Sequence, residues 1–543
     1  MTNNRPVAHS FAKKRVLIVN CFFDESRRPV RRPAKMPQAL GPIYLAGAFH
    51  PELCEIRLYN EVASGPLLNE ELLAWPDLLV MTGLTNSFDR MLHLTAYART
   101  KNPTTIVAAG GPAIRALPLL AQQYFDYCCL GDIEEMQDVI TEALGTAYVA
   151  QEMLPRFDLA YWLRHINYVE STRNCNFRCS FCALTGEGNA YKKYDLDYTR
   201  KQIMALGKVR RLIFADNNFY GNDRNHFLAR LDLIKEMRTA GYMKDWAALV
   251  TGDFFRDDEN LKIVQEAGCR FLFSGVEAFD AQWLKSVNKA QNNLCPQVEM
   301  IRKCLEAGLL FSYGLMFDVD RRRISELRRE LDLITSTPNI TLPCFITLPI
   351  PLLGSPFFYE CLDSESLLPR TKLRDMDGST LVCKPLDPID DVVAFLGEMM
   401  TLRGYRWRVL KHSVNFVKNY YSTLSKTQLG VELVNAALLC AYSLATAPAT
   451  PLVPTRRGRS RTYISTTEIL DAVYTPSFRV ASRYESYFHP TMVTDAGGQL
   501  SKELAGAGLP SRFPKSLQPQ LASPLKHLAF LPATAPKSRV MGV

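Results

Sequence analysis

Three cysteines, Cys175, Cys179 and Cys182, stand in the run C-N-F-R-C-S-F-C with the spacing C-x3-C-x2-C. Spacers of two and three residues let one short loop curl three thiolates around a single metal centre. Thiolates are soft ligands, suited to zinc or to iron–sulfur clusters. Structural zinc asks for a fourth Cys or His at similarly short range. The next cysteine is Cys269, and no histidine lies between Cys182 and His226. The spacing therefore points to a four-iron cluster with one iron left open for another ligand. Structural zinc and three ordinary buried cysteines stand beside it as alternative readings.

The surrounding chain narrows the setting. Its 543 residues allow two to four domains. Hydrophobic residues at 47% and charged residues at 22% are those of a soluble globular protein. The net charge of +9 comes largely from scattered pairs such as Arg27-Arg28 and Arg456-Arg457. No aromatic residues interleave them, so no nucleic-acid path is expected. Fourteen cysteines are too sparse for a disulfide framework, which points to a reducing, cytoplasmic setting. The N-terminus lacks the apolar stretch of a signal peptide, and no run of 18 apolar residues predicts a transmembrane span.

The expected fold class is α/β throughout. Within residues 1–150, short apolar runs at 15–20, 55–59, 78–82, 105–109 and 127–130 alternate with helical patterns at 42–49 and 89–100. That alternation predicts a doubly wound, Rossmann-like sheet with a ligand crevice at the strand C-termini. Small polar residues stand at those ends: Thr82, Gly83, Thr85 and Asn86, then Gly110 and Gly111, then Gly131. Glycines there would let a bulky ligand approach the backbone. No G-x-G-x-x-G follows the first strand, which disfavours a nicotinamide or flavin site.

Within residues 151–365 a second alternation runs from 168 onward, with strands at 211–215, 246–251, 271–274, 311–317 and 344–348. Five or six such units predict a partial (β/α) barrel with its chemistry at the C-terminal rim. The polar residues there are Asp216, Asn217 and Asn218, then Glu277, then Asp318 and Asp320, each equally readable as a helix cap or rim solvation. Residues 366–490 read as a mainly helical substrate or lid region. Residues 431–447 form an apolar segment after a basic, aromatic stretch, read as a buried helix, with an interfacial membrane helix or substrate lid as alternatives. Residues 491–543, rich in Pro, Ala, Gly and Ser, predict a disordered tail.

The cysteine run resembles that of the radical S-adenosylmethionine (radical SAM) enzymes. The resemblance implies that Cys175, Cys179 and Cys182 ligate a [4Fe–4S] cluster whose open iron takes SAM, and that an external one-electron reductant such as flavodoxin or ferredoxin supplies the electron. It implies a place near the adenine for Phe181. F-A-D-N-N-F at 214–219 and S-G-V-E-A-F at 274–279 resemble SAM-contact segments of cobalamin-type members, implying SAM-binding roles for Asp216, Asn217 and Glu277. T-L-P-I-P-L-L-G-S-P-F at 347–357 resembles the family's late Pro/Gly loop. Placed ahead of the cysteine run, residues 13–147 resemble the cobalamin-binding module of cobalamin-dependent radical SAM enzymes. The D-x-H-x-x-G loop of many B12 proteins is missing, since Ser26 stands two residues after Asp24. The expectation is cobalamin bound at the Thr82–Gly131 crevice without a histidine beneath the cobalt.

The function so implied is a cobalamin-dependent methyltransferase acting on a carbon of a small molecule, lipid or peptide, with peripheral membrane contact as a further expectation. The alternatives are a cobalamin-type enzyme that cyclises, rearranges or oxidises its substrate, and a non-catalytic iron–sulfur scaffold.

Overall fold

The computed structural model describes residues 13–22, 39–163, 167–369, 371–378, 380–398, 405–441 and 481–493. The loop carrying Asp24 and Ser26, residues 442–447 of the apolar segment and nearly all of the expected tail lie outside them.

Five strands build the first sheet: β1 (Lys14–Asn20), β2 (Cys54–Asn60), β3 (Leu78–Thr82), β4 (Ile106–Gly110) and β5 (Tyr127–Cys129). They pair in parallel in the order β2-β1-β3-β4-β5. Alternate side chains of one strand serve opposite faces. Leu17 and Val19 pack against the helix Phe88–Lys101 through Met91, Leu92 and Leu94. Val16 and Ile18 pack on the other face with Ile43, Val139 and Ile140. Both faces of the sheet are covered, which is why its strands read as continuous apolar runs.

The second sheet has six parallel strands: β6 (Asn167–Val169), β9 (Val209–Phe214), β10 (Met243–Leu249), β11 (Cys269–Glu277), β12 (Leu310–Met316) and β13 (Phe345–Thr347). They run in chain order from β6 to β13, a partial barrel open between its first and last strands. Between β6 and β9 two short strands, β7 (Thr172–Arg173) and β8 (Lys192–Lys193), pair antiparallel. They pin both ends of the loop that carries the three cysteines.

The C-terminal helices Tyr405–Tyr420 and Lys426–Ala441 pack along the barrel's β11–β13 side. Gln428 donates to the carbonyls of Arg270 and Gly308. Glu432 accepts the amide of Leu342. The second helix is not the buried element expected from its apolar content. Glu432, Ala436 and Leu439 are buried, while Val431, Val434 and Leu438 remain exposed. No helix among the described residues is long and apolar enough to cross a membrane. Residues 481–493 return to the first sheet, where Thr491 donates to Asp89 and Arg99 donates to the Tyr487 hydroxyl.

The two sheets meet at their strand C-termini. Arg115, five residues beyond β4, pairs with Glu187 on the helix Ala183–Glu187 that follows the last cysteine, at 2.7 Å. Asp132, just past β5, pairs with Arg173 of β7 at 2.9 Å. The crevice of the first sheet and the rim of the barrel therefore form one interface.

Candidate functional site

Asn174 enters the cysteine loop with φ +61°, a conformation costly for most side chains but tolerated by asparagine. Its amide donates to the carbonyl of Ala190 and ties the start of the loop to its end. The Cys175 sulfur accepts the amide of Phe177 at 3.5 Å, and the Cys179 sulfur accepts Nε2 of Gln291 at 3.4 Å. Such contacts favour the thiolate. Against them, burial pushes the Cys175 thiol up and the Cys182 thiol up to about 11. Metal binding overcomes that by displacing the proton. Three soft donors on one pinned loop, with N–H groups aimed at two of the sulfurs, fit an iron–sulfur cluster with one open iron.

The segment alongside the loop, Val287 to Asn292, supplies what sequence reading missed. Ser180 donates its amide to the carbonyl of Val287, and Asn288 donates to the carbonyl of Arg178. Lys289 is buried and pairs with Glu277 at 2.7 Å. Burial works against its charge. The Glu277 carboxylate and the thiols of Cys179 and Cys182 outweigh that and hold its pKa above the ordinary lysine value. Its Nζ lies 5.5 Å from the ring centre of Phe181. The run N-K-A-Q-N-N carries no motif, and only its tertiary position turns it toward the cysteines.

Glu277 ends β11 at φ +62°, beside a register shift against β12. Non-glycine residues in this region persist only where surroundings impose it, commonly at functional sites. A Cβ on Gly275 would lie 2.3 Å from Oε1 of Glu277 and 2.8 Å from Nζ of Lys289, so a side chain there would push the pair out of its present position. Asn292 donates to the carbonyls of Gly275 and Val276, while its own Oδ1 is buried without a partner. Phe181 stacks on Trp283 with ring centres 6.4 Å apart, and Trp283 donates Nε1 to Asp318 at 2.7 Å.

Asp216 takes a different position from Glu277. It is fully buried at the end of β9 and accepts the Ser171 amide at 2.7 Å and the Ser171 hydroxyl at 2.5 Å. Arg230 completes the set at 3.1 Å. With both oxygens engaged, the carboxylate anchors the strand end four residues before Cys175. Asn217 is exposed, whereas its neighbour Asn218 is buried and donates to Asn176 inside the loop. The late Pro/Gly loop also touches the cysteine loop. A Cβ on Gly186 would lie 2.8 Å from the carbonyl carbon of Gly354, and Phe357 donates its amide to Ser180.

At the first sheet the glycines answer to the chain before any ligand. A Cβ on Gly111, at φ +116°, would lie 2.4 Å from the carbonyl oxygen of Gly83. One on Gly83 would lie 2.9 Å from the carbonyl of Cys21. Gly110 packs against Cys129. The Gly131 amide donates to Glu135, and Arg115 donates to its carbonyl. Thr82 closes β3, and Thr85 and Asn86 are buried in the turn after it, where Thr85 Oγ1 has no partner. Neither described histidine of this region stands beneath that edge. His50 accepts the amides of Glu52 and Leu53 before β2. His93 stacks on Phe488 at 4.9 Å, its pKa pushed down to about 3 by burial.

A separate apolar cavity of about 520 Å³ lies between the barrel strands and the helix Lys426–Ala441, lined by residues that include Ile213, Phe271 and Val431. None of the candidate site residues lines it.

Residues 169–330 match the radical SAM superfamily. Hopanoid C-2 methylase of Rhodopseudomonas palustris is 23% identical over 416 residues, which cover 71% of this chain and 74% of that protein. Bacteriochlorophyllide d C-8(2)-methyltransferase of Chlorobaculum tepidum is 26% identical over 321 residues, 53% of this chain and 69% of the relative. Among solved structures, the cobalamin-dependent S-adenosylmethionine radical enzyme OxsB, with aqua-cobalamin and S-adenosylmethionine bound, aligns at a TM-score of 0.55 and 15% identity. That alignment covers 79% of this chain and 72% of OxsB, a likeness of fold. Residues 169–330 of the chain are a radical SAM domain, which implies a [4Fe–4S] cluster and S-adenosylmethionine as its cofactors.

Proposed function

We propose that the protein is a cobalamin-dependent radical SAM methyltransferase that acts on a carbon of an apolar small molecule. Residues 1–150 would form the cobalamin-binding unit, 151–365 the catalytic barrel, 366–490 a region that shapes substrate access, and 491–543 a tail. The observation that carries this reading is the interface between the two sheets. Arg115–Glu187 and Asp132–Arg173 hold the C-terminal edge of the first sheet against the cysteine loop. The methylase names of two relatives, a hopanoid enzyme and a bacteriochlorophyllide enzyme, support methyl transfer and an apolar substrate.

In this reading Cys175, Cys179 and Cys182 hold the cluster. Glu277 and Lys289 present a buried ion pair to SAM, with Phe181 against the adenine and Asn217 at the rim. Asp216 acts as a positioning residue through Ser171. Thr82, Thr85 and Asn86 face cobalamin, and the glycines at 83, 110, 111 and 131 keep the strand ends close enough to form its crevice. When bound, these cofactors supply a radical able to abstract hydrogen from a poorly activated carbon and a methyl group to replace it. The chain's own task is placement and exclusion of side reactions. The electron comes from an external reductant of the flavodoxin or ferredoxin kind.

The test is anaerobic reconstitution with iron, sulfide and hydroxocobalamin, followed by SAM, reductant and apolar candidate substrates. The expected products are 5′-deoxyadenosine, S-adenosylhomocysteine and a substrate heavier by one methylene. Replacing all three cysteines by alanine should abolish the cluster absorption and SAM cleavage. A protein that retains no cobalamin would overturn the proposal. A product of unchanged carbon count would favour rearrangement or oxidation instead.

A further inference from the structure

We infer that Asp320, Cys361 and Cys383 form a second metal site, separate from the cysteine loop, that takes one zinc ion. Their ligand atoms all lie within 4.8 Å of one another, the one such grouping of three or more among the described residues. The two sulfurs are 3.9 Å apart. In a tetrahedral centre with zinc–sulfur bonds near 2.3 Å, two thiolates stand about 3.8 Å apart. Two thiolates and one carboxylate suit zinc over magnesium or calcium, which take oxygen-only sets.

A second observation points the same way. Oδ1 of Asp320 and Oδ1 of Asp318 are both buried without a hydrogen-bond partner. Asp318 is only 2% exposed, and its other oxygen is taken by Trp283. Two neighbouring carboxylates satisfy one another only when one of them holds a proton, and a metal cation shared with the two thiolates is the other way to balance them. Plain apolar packing explains two neighbouring cysteines in a core, but it does not explain a carboxylate against them.

The three segments that carry these side chains are tied to one another through the backbone. Asp320 lies in the turn after β12, where Leu386 donates its amide to the carbonyl of Val319. Lys384, beside Cys383, donates to the carbonyl of Ser366, and Ser366 donates to the carbonyl of Cys361. Cys383 also pairs with Leu367 in an isolated bridge. Cys361 sits on the helix Pro356–Asp363. Three protein ligands leave one position on zinc open. Cys361 and Cys383 belong to the core shared with the first sheet, and Asp318 reaches Phe181 through Trp283. Zinc would thus fix the β12 turn at the junction of both sheets with the cysteine loop.

The experiment uses the full chain with Cys175, Cys179 and Cys182 replaced by alanine, so that metal in the cluster loop cannot contribute. After incubation with zinc and desalting, elemental analysis should find about one zinc per chain, as three protein ligands on one ion require. Cobalt in its place should show thiolate-to-cobalt absorption. Adding Cys361→Ser and Cys383→Ser should remove both signals, with circular dichroism reporting the fold. Asp320→Asn, at a partly exposed residue, should weaken zinc at least tenfold against a competing chelator while keeping the cobalt–thiolate band. No zinc above the buffer blank, zinc unchanged in the serine variant, or a Cys361–Cys383 disulfide found by non-reducing mass spectrometry would each overturn the site.

Discussion

Replacing Asp216 by alanine separates two roles for a rim carboxylate: holding SAM, and holding the cysteine loop. Asp216 and Arg230 form an ion pair with side chains 0% and 1% exposed. Removing the carboxylate strands the guanidinium in the core with the hydroxyl of Ser171 and the carbonyls of Phe219 and His226 as partners. Breaking a buried pair from one side costs about 3–5 kcal/mol. For a domain of the barrel's size each kcal/mol lowers the midpoint of thermal unfolding by about 2–4 °C, so the expected loss is about 6–20 °C. The Ser171 amide and hydroxyl lose their acceptor in the same change. The entry to Cys175 loosens, and iron retained after reconstitution should fall. The assay is scanning calorimetry with iron analysis, run beside Asp216→Leu/Arg230→Met, which exchanges both charges for apolar volume. That double variant should recover most of the stability, because no charge is left buried alone. A midpoint within about 2 °C of the parent, with iron intact and SAM binding weakened, would refute the positioning role and make Asp216 a SAM ligand.

Three further outcomes follow from the geometry. Glu277→Gln should raise the dissociation constant for SAM about tenfold or more, since a charge-assisted hydrogen bond contributes about 1.5–3 kcal/mol, and calorimetric titration measures it; unchanged binding would leave Glu277 as a partner of Lys289 alone. Gly111→Ala should destabilise the first sheet by about 1–3 kcal/mol through the clash with Gly83 and diminish retained cobalamin, read by urea denaturation and absorption. Burial raises the Glu432 carboxyl to about 8 in the folded chain, above its ordinary value. A raised acid stabilises the fold below its unfolded pKa, and that contribution is lost as pH rises through the folded value. Glu432→Gln keeps an acceptor for Leu342 and should gain thermal stability over the parent at pH 8.5 but not at pH 4; an equal difference at both values would contradict the assignment.

Strand positions and the cysteine loop were readable without coordinates because both depend on short-range chemistry. Runs such as Arg15–Asn20 are apolar on both faces, as a sheet covered on both faces requires. The spacing of Cys175, Cys179 and Cys182 needs only a few residues of context. The pattern missed where one residue's role depends on a partner far along the chain. Asp216 and Glu277 look alike in sequence, each a carboxylate after an apolar strand. Packing seals Asp216 against Ser171 and Arg230, and strain turns Glu277 toward Lys289. Lys289 itself carried no motif. Likewise, Asp320, Cys361 and Cys383 are separated by 41 and 22 residues, and Gly111 meets Gly83 across neighbouring strands. Periodicity and ligand spacing are local properties and survive in the sequence. Burial, charge pairing and close approach between distant segments come into being only when the two sheets fold and meet.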